Sequence, residues 1–95
     1  MNLREIHTDP KEVSAKPLFS TTDGVVTALQ IQEDALLKEH TTKVPALLIC
    51  VSGEVVFENE KGFKQSLASG DYVLIEPLVK HWVKGVLDSQ LLLIK

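Results

Sequence analysis

Cysteine is nearly absent from this chain: Cys50 is the only one among 95 residues. An internal disulfide is therefore excluded, and the composition fits a reducing compartment such as the cytoplasm. Basic residues are also short. Lys and Arg number 10 against 13 Asp and Glu, for a formal charge of −3 and a pI near 5.5. Nucleic acid usually demands a basic face, so no nucleic-acid partner is expected. No run reaches the ~18 apolar residues that a membrane span needs, so no membrane role is expected either. Residues 1–16 carry charges and no apolar central segment, so they do not read as a secretory signal. Internal repeats and low-complexity segments are missing too.

What is present is enough for one small domain. The 44% apolar content supplies a single core. A chain this short buries only part of its surface and gains from a partner.

Residues 1–16 mix charges with Pro10 and show little periodicity, so they read as an arm or a short first element. Pro17-Leu18-Phe19 can open a strand, since proline is tolerated at a strand's first residue. Thr22-Asp23-Gly24 signals a turn. Val25 to Ile31 then alternates, with Val25, Thr27, Leu29 and Ile31 on one face and Val26, Ala28 and Gln30 on the other. Ala35 to Glu39 alone suits a helix by propensity, but its β-rich neighbours favour a strand from Leu36 to His40. Ala46 to Val51 is an apolar run between Pro45 and Gly53, the pattern of a strand buried on both faces.

Val55 to Leu67 reads as a hairpin turning at Asn59-Glu60-Lys61-Gly62, with Phe63 opening its second strand. Ala68 to Asp71 makes another turn before Tyr72 to Ile75. Trp82 to Leu87 and Ser89 to Lys95 complete the set. About eight short strands at regular turn spacing predict an all-β sandwich or barrel over residues 17–95. Leu91 to Ile94 is apolar on both strand faces, so something must cover its outer side. A homodimer is the expected cover, and the chain's own arm is the alternative.

His40 and His81 are the residues to watch. Each ends or begins a strand-like run, and each is tied by spacing to a glycine, Gly53 and Gly70 respectively. Two imidazoles separated by a hairpin can meet in a barrel mouth, as a candidate metal or ligand site.

These spacings resemble the cupin superfamily, small barrels of the double-stranded β-helix (jelly-roll) kind. The first cupin motif, G-x5-H-x-H-x3-E-x6-G, puts Asp34, His40, Thr42, Ala46 and Gly53 at its fixed positions. The second, G-x5-P-x-G-x2-H-x3-N, puts Gly70, Glu76, Leu78, His81 and Gly85 at its own. The resemblance implies a jelly-roll barrel over most of the chain. It also implies a metal centre of which His40 and His81 survive, while Thr42 and Ala46 replace the other two ligands.

The implied cofactor is one divalent transition metal ion: Fe, Mn, Ni, Cu or Zn. Strand parity gives His40 and Thr42 one face, and the resemblance implies that Thr42 and Ala46 point into the barrel. Glu76 is a candidate third ligand, although a solvated strand end is the simpler reading. Cys50 shares the inner face but lies ~13 Å along the strand from Ala46, and reads as a packed, inert thiol. Lys38, with the parity of His40, is either an anion contact at the mouth or a solvated charge. Trp82 and Tyr72 read as packing residues, and His7 as solvated.

Three functions remain open at this point. The first is a binding module holding a small molecule through His40, Thr42 and His81, with or without a metal. The second is a metal-dependent enzyme like the oxygenase or isomerase cupins, using His40 and His81. The third is a partner domain for another protein.

Overall fold

The alternation of apolar and polar residues governs the architecture, because each strand has one face to hide. The computed structural model describes all of residues Met1–Lys95. A four-residue helix, α1 (Leu3–Ile6), precedes nine strands. These are β1 (Val13–Ser20), β2 (Val25–Ile31), β3 (Leu36–His40), β4 (Ala46–Ser52), β5 (Glu54–Asn59), β6 (Lys64–Ala68), β7 (Tyr72–Ile75), β8 (His81–Gly85) and β9 (Ser89–Ile94). Every pairing is antiparallel. One sheet runs β1-β2-β9-β4-β7 and the other β3-β8-β5-β6.

The two sheets bury their inner faces against each other. Leu29, Ile31, Leu48, Cys50 and Leu91 come from the first sheet. Val55, Phe57, Leu67 and Val83 answer from the second. The expected jelly-roll arrangement of short antiparallel strands is what the chain builds. No helix is long and apolar enough to cross a membrane.

Several element boundaries differ from the sequence expectation. The first strand starts at Val13 rather than Pro17, so the arm proper ends at Glu12. Pro17 lies inside β1, next to a register shift between Pro17 and Phe19. An edge strand tolerates this, because one side has no partner that needs the missing N–H. The arm contains α1, whose first turn is capped by the Asn2 side chain accepting from the Arg4 N–H at 3.0 Å. Phe63 belongs to the hairpin turn, and the second strand starts at Lys64. β8 stops at Gly85, short of Leu87. β4 is buried on one face only: Ala46, Leu48 and Cys50 point inward, while Leu47 and Ile49 are half-covered.

Gly53 shows why the turns are spaced as they are. Its φ is +92°, and a Cβ there would strike the Asp88 carbonyl and Ser89 Oγ. The chain reverses from β4 into β5 against β9 with no room for a side chain. Two other left-handed positions carry ordinary residues, Asp34 (φ 64°) and Leu78 (φ 65°). Both sit where the two motifs have glycine. The backbone shape has been kept although the residue has changed. Asp tolerates this region through its short polar side chain, but Leu does not.

Two expectations follow. Leu78 is 73% exposed, so replacing it removes little buried surface. A left-handed Leu costs roughly 1–2 kcal/mol, of which glycine's extra unfolded-state freedom gives back about 0.5–1. Leu78→Gly is therefore expected to stabilise the fold by about 0.5–1 kcal/mol, read as a higher midpoint in urea. A lower midpoint would mean that the leucine side chain contributes packing that outweighs the strain.

His7 is held below the ordinary imidazole range, first by burial beneath the arm and then by the Lys16 charge. The unfolded chain therefore binds this proton more readily than the folded one. His7 leaves stability intact above the unfolded value of about 6.5 and costs stability as pH falls below it. Urea midpoints from pH 7.5 to 5 should fall less steeply in His7→Gln than in the parent. Equal slopes would place His7 in solvent.

Candidate functional site

His40 ends β3 and His81 begins β8, and the register sets them directly opposite one another. The register contains a bulge. Leu37 pairs with Val83, and the next partner of His81 is His40 rather than Glu39. The extra residue turns His40 to the same side as Leu37, toward the interior. It also overturns one reading from strand parity: Lys38 does not share the face of His40. Lys38 instead lines an outer groove with Leu36, Glu39 and Trp82.

The two rings meet edge to face, with centroids 4.1 Å apart. Their Nε2 atoms lie 3.0 Å from each other. Nδ1 of His40 lies 2.9 Å from the Lys38 carbonyl oxygen, and Nδ1 of His81 lies 3.2 Å from that of Val79. His81 is 2% exposed and stacks on Phe57 at 5.6 Å, whereas His40 is half-buried on the edge strand.

A proton count follows from these contacts. A carbonyl oxygen only accepts, so each Nδ1 contact needs an N–H from the ring. The Nε2–Nε2 contact needs one more hydrogen. Three contacts thus call for three protons, while two neutral imidazoles carry two. With both rings neutral, two bare lone pairs face each other at 3.0 Å. The pair is short of one electrophile or hydrogen-bond donor.

Burial is the main force on His81 and pushes it below the usual imidazole range; the charges of His40 and Lys95 act the same way, and the Val79 carbonyl opposes them. Lys95, an exposed residue just after β9, is the smallest of these influences. Parity along β9 puts it on the inner side with Leu91 and Leu93. Sequence reasoning missed it, because a lysine after an apolar strand looks like an ordinary solvated end.

The remaining expected residues are placed as follows. Thr42 is buried, and its hydroxyl donates to the Val44 carbonyl at 2.7 Å. Ala46 points inward and offers only a methyl group. Glu76 is exposed and paired with Lys61 Nζ at 2.8 and 3.0 Å, the solvated strand end of the simpler reading. Cys50 is fully buried, and burial pushes its thiol upward, with Asp71 and Glu54 adding to the effect. That is an inert packed thiol. Trp82 faces away from His81 and donates from Nε1 to Glu58 Oε2 at 3.0 Å. Tyr72 is 64% exposed on the outer face of β7 and does not pack in the core. His7 is not solvated: the arm lays it half-buried against β1, with Nδ1 2.8 Å from Ser14 Oγ.

The donor set was tested against the metal that the cupin resemblance implies. No group of three or more His, Cys, Asp or Glu side chains converges anywhere in the chain. Zinc and non-haem iron sites need at least three protein ligands. Two imidazoles with no carboxylate beside them do not fit such an ion. None of the surface cavities is lined by either histidine.

No protein-family model matches the chain. No curated protein matches it either. Solved structures do. A cupin superfamily protein from Desulfitobacterium hafniense superposes with a TM-score of 0.84 at 16% identity, covering 98% of this chain and 84% of that one. A cupin-2 domain protein from Shewanella frigidimarina gives 0.81 at 12% identity, with coverages of 100% and 92%. A cupin 2 conserved barrel domain protein from Leptotrichia buccalis gives 0.83 at 21% identity, covering 99% of this chain but 46% of that one. The chain has the cupin fold, as its motif spacing implied.

The geometry makes a spectroscopic prediction. His81 is expected to stay neutral at pH 6.5, with its proton on Nδ1 and Nε2 bare. Nitrogen-15 imidazole shifts read this directly. A His81 ring protonated on both nitrogens at that pH would contradict the assignment.

Proposed function

We propose that this cupin-fold domain binds a small molecule at the barrel mouth, anchored by His40 and His81. Thr42 forms the buried wall beside them. The observation that carries this reading is the proton shortage of the imidazole pair. A ligand hydroxyl supplies the missing donor to an Nε2 lone pair. The Lys95 charge, which acts on His81 from the end of β9, and the lack of a carboxylate converging with the pair favour a negative ligand. The chemistry therefore selects a compact hydroxy acid, with its hydroxyl on the histidines and its carboxylate toward Lys95.

Access requires β3 to move. β3 pairs on one side only, with β8, and four of its five residues lie outside the core cluster and the hydrophobic side chains packed against it. Displacing His40 outward opens the mouth while Phe57, Val83 and Leu48 stay packed. The ligand is small, because no cavity already stands beside the pair. Catalysis has less support: no carboxylate or third ligand accompanies the histidines, and a bare Nε2 of the pair is the one candidate base. The metal-enzyme alternative has one favourable feature, the 3.0 Å convergence of two Nε2 atoms. Two ligands of one metal at ~2.0–2.1 Å each can lie about that far apart.

Thermal shift with glycolate and lactate, against acetate and glycerol as half-ligands, tests the reading. Protein purified without tag or chelator is used, with elemental analysis in parallel. Glycolate or lactate should raise the midpoint more than either half-ligand. The gain should vanish in His40→Ala and shrink in Lys95→Ala. One equivalent of Fe, Mn, Ni, Cu or Zn, lost in both His40→Ala and His81→Ala, would instead establish the metal reading. Equal shifts from all four compounds would remove the hydroxy-acid assignment.

A further inference from the structure

A row of uncharged polar side chains crosses the outer face of the five-stranded sheet. Ser14, Gln30, Gln90 and Ser52 are consecutive partners on β1, β2, β9 and β4. The next row on that face is apolar, with Ala28, Leu92 and Ile49. The polar row lies under the arm. At one end His7 Nδ1 meets Ser14 Oγ at 2.8 Å. At the other, Asn2, Leu3 and Arg4 stand over Val51, Ser52 and Gln90 and enclose a cavity of about 170 Å³. The register shift between Cys50 and Ser52 brings both Val51 and Ser52 to its wall.

Hydrogen bonding along this row is incomplete. Gln90 is 7% exposed and donates from Nε2 to Gln30 Oε1 at 2.7 Å, which leaves its own Oε1 without a donor. The buried side-chain polar atoms that lack a partner in this chain are Gln90 Oε1 and His7 Nε2, and both belong to the row and its cover. Such groups are rare, because burial removes their water and must put something in its place. Gln90 forms part of the sheet wall of the cavity. Arg4 stands on the arm side, and its guanidinium takes part in none of the chain's ion pairs.

We infer that this cavity is a second binding site, for a small α-amino acid with its carboxylate on Arg4 and its ammonium on Gln90 Oε1. Three features select that class. The first is the bare acceptor. A buried amide oxygen calls for a donor, and an ammonium is a charged one with three N–H groups. Ser52, on the same wall, brings a hydroxyl that can accept a second of them. The second is the unpaired cation. A guanidinium grips a carboxylate with two parallel N–H groups. The third is size. At ~30 Å³ per water, 170 Å³ holds roughly five or six water-sized groups, which suits glycine or alanine and excludes long side chains. A molecule with both ends also ties the arm to the sheet, because Arg4 belongs to one and Gln90 to the other. This cavity has neither histidine of the barrel mouth in its lining, so the inference stands independently of the function proposed there.

Nuclear magnetic resonance titration of the nitrogen-15-labelled chain tests it, with glycine and alanine as probes and propionate and methylammonium as one-ended controls. Glycine and alanine should move the Gln90 side-chain amide and the Arg4 Nε–H signals saturably. They should also slow amide hydrogen exchange across the arm, while the His40 and His81 ring signals stay in place. Each one-ended control should bind about tenfold more weakly or worse, the scale of one charge-assisted hydrogen bond. Arg4→Gln should weaken glycine binding by a similar factor, and Gln90→Met, which conserves volume, should abolish it. Arg4 is exposed, so its variant keeps the test decisive even if Gln90→Met does not fold. Controls that bind as well as glycine would overturn the inference, and so would shifts confined to the two imidazoles. An absence of saturable shifts at Arg4 and Gln90 would overturn it too, with ordered water as the partner of Gln90 Oε1.

Discussion

One extra residue in β3 determines what happens at the barrel mouth. Between Leu37 and His40 the strand runs three residues while β8 runs two, from Val83 to His81. Without the bulge, His40 would share the outward side of Leu36 and Lys38, and His81 would face no imidazole. With it, the ring turns inward and its Nε2 reaches 3.0 Å from that of its partner. The pairing has a second support from below. Phe57 lies in the core and stacks on His81, so the buried ring cannot tilt away without opening the packing beneath it. One histidine is therefore fixed by the core and the other by an edge strand. The pair joins a ring packed on the core to one carried by an edge strand.

The backbone of the chain follows the cupin motifs more closely than its side chains do. Gly53 and Gly70 keep their residue and their positive φ, +92° and +90°. Asp34 and Leu78 stand where the motifs have glycine and adopt the left-handed conformation. The local shape is imposed by neighbours. The N–H of Asp34 donates to the Gly85 carbonyl at 2.9 Å, and that of Leu78 to the Thr42 carbonyl at 2.8 Å. These long-range hydrogen bonds hold the turn whatever residue occupies it, and the strain remains as a local cost. A fold can thus persist through substitutions that remove a chemistry, which is why similarity of fold says little about activity here.

Much of this was legible from the sequence because β-strands have a period of two. The inward set of β2 (Thr27, Leu29, Ile31) and of β4 (Ala46, Leu48, Cys50) follows directly from alternation. The segment from Leu36 to His40 has helix-forming residues, yet β8 captures it as a strand, tertiary pairing overriding a weak local preference. What could not be read arises where the period breaks. A bulge has no composition of its own, so Lys38 was assigned the side of His40. The start of β1 at Val13 was hidden because Ser14 and Lys16 are polar. Their outward face is covered by the arm, a contact that only tertiary structure reveals. Lys95 escaped notice for a related reason: its influence on His81 acts across the fold, not through neighbours in sequence.

On the proposed reading, the charge balance of the mouth turns the site from cations toward anions. A divalent ion is held by neutral imidazoles together with at least one anionic or further ligand, which offsets the desolvation of the ion. Ala46 stands where the first motif has its glutamate, which takes away a negative charge. Thr42 stands where it has a second histidine, and its hydroxyl proton is committed to the Val44 carbonyl. Lys95 adds a small positive influence on His81, the least of those acting on it. Each change moves the field at the Nε2 atoms in one direction, against cations and toward anions. The two histidines alone are therefore a poor guide to what the mouth prefers. Their lone pairs set the need for a donor, and the charges around them set the sign of the molecule that brings it.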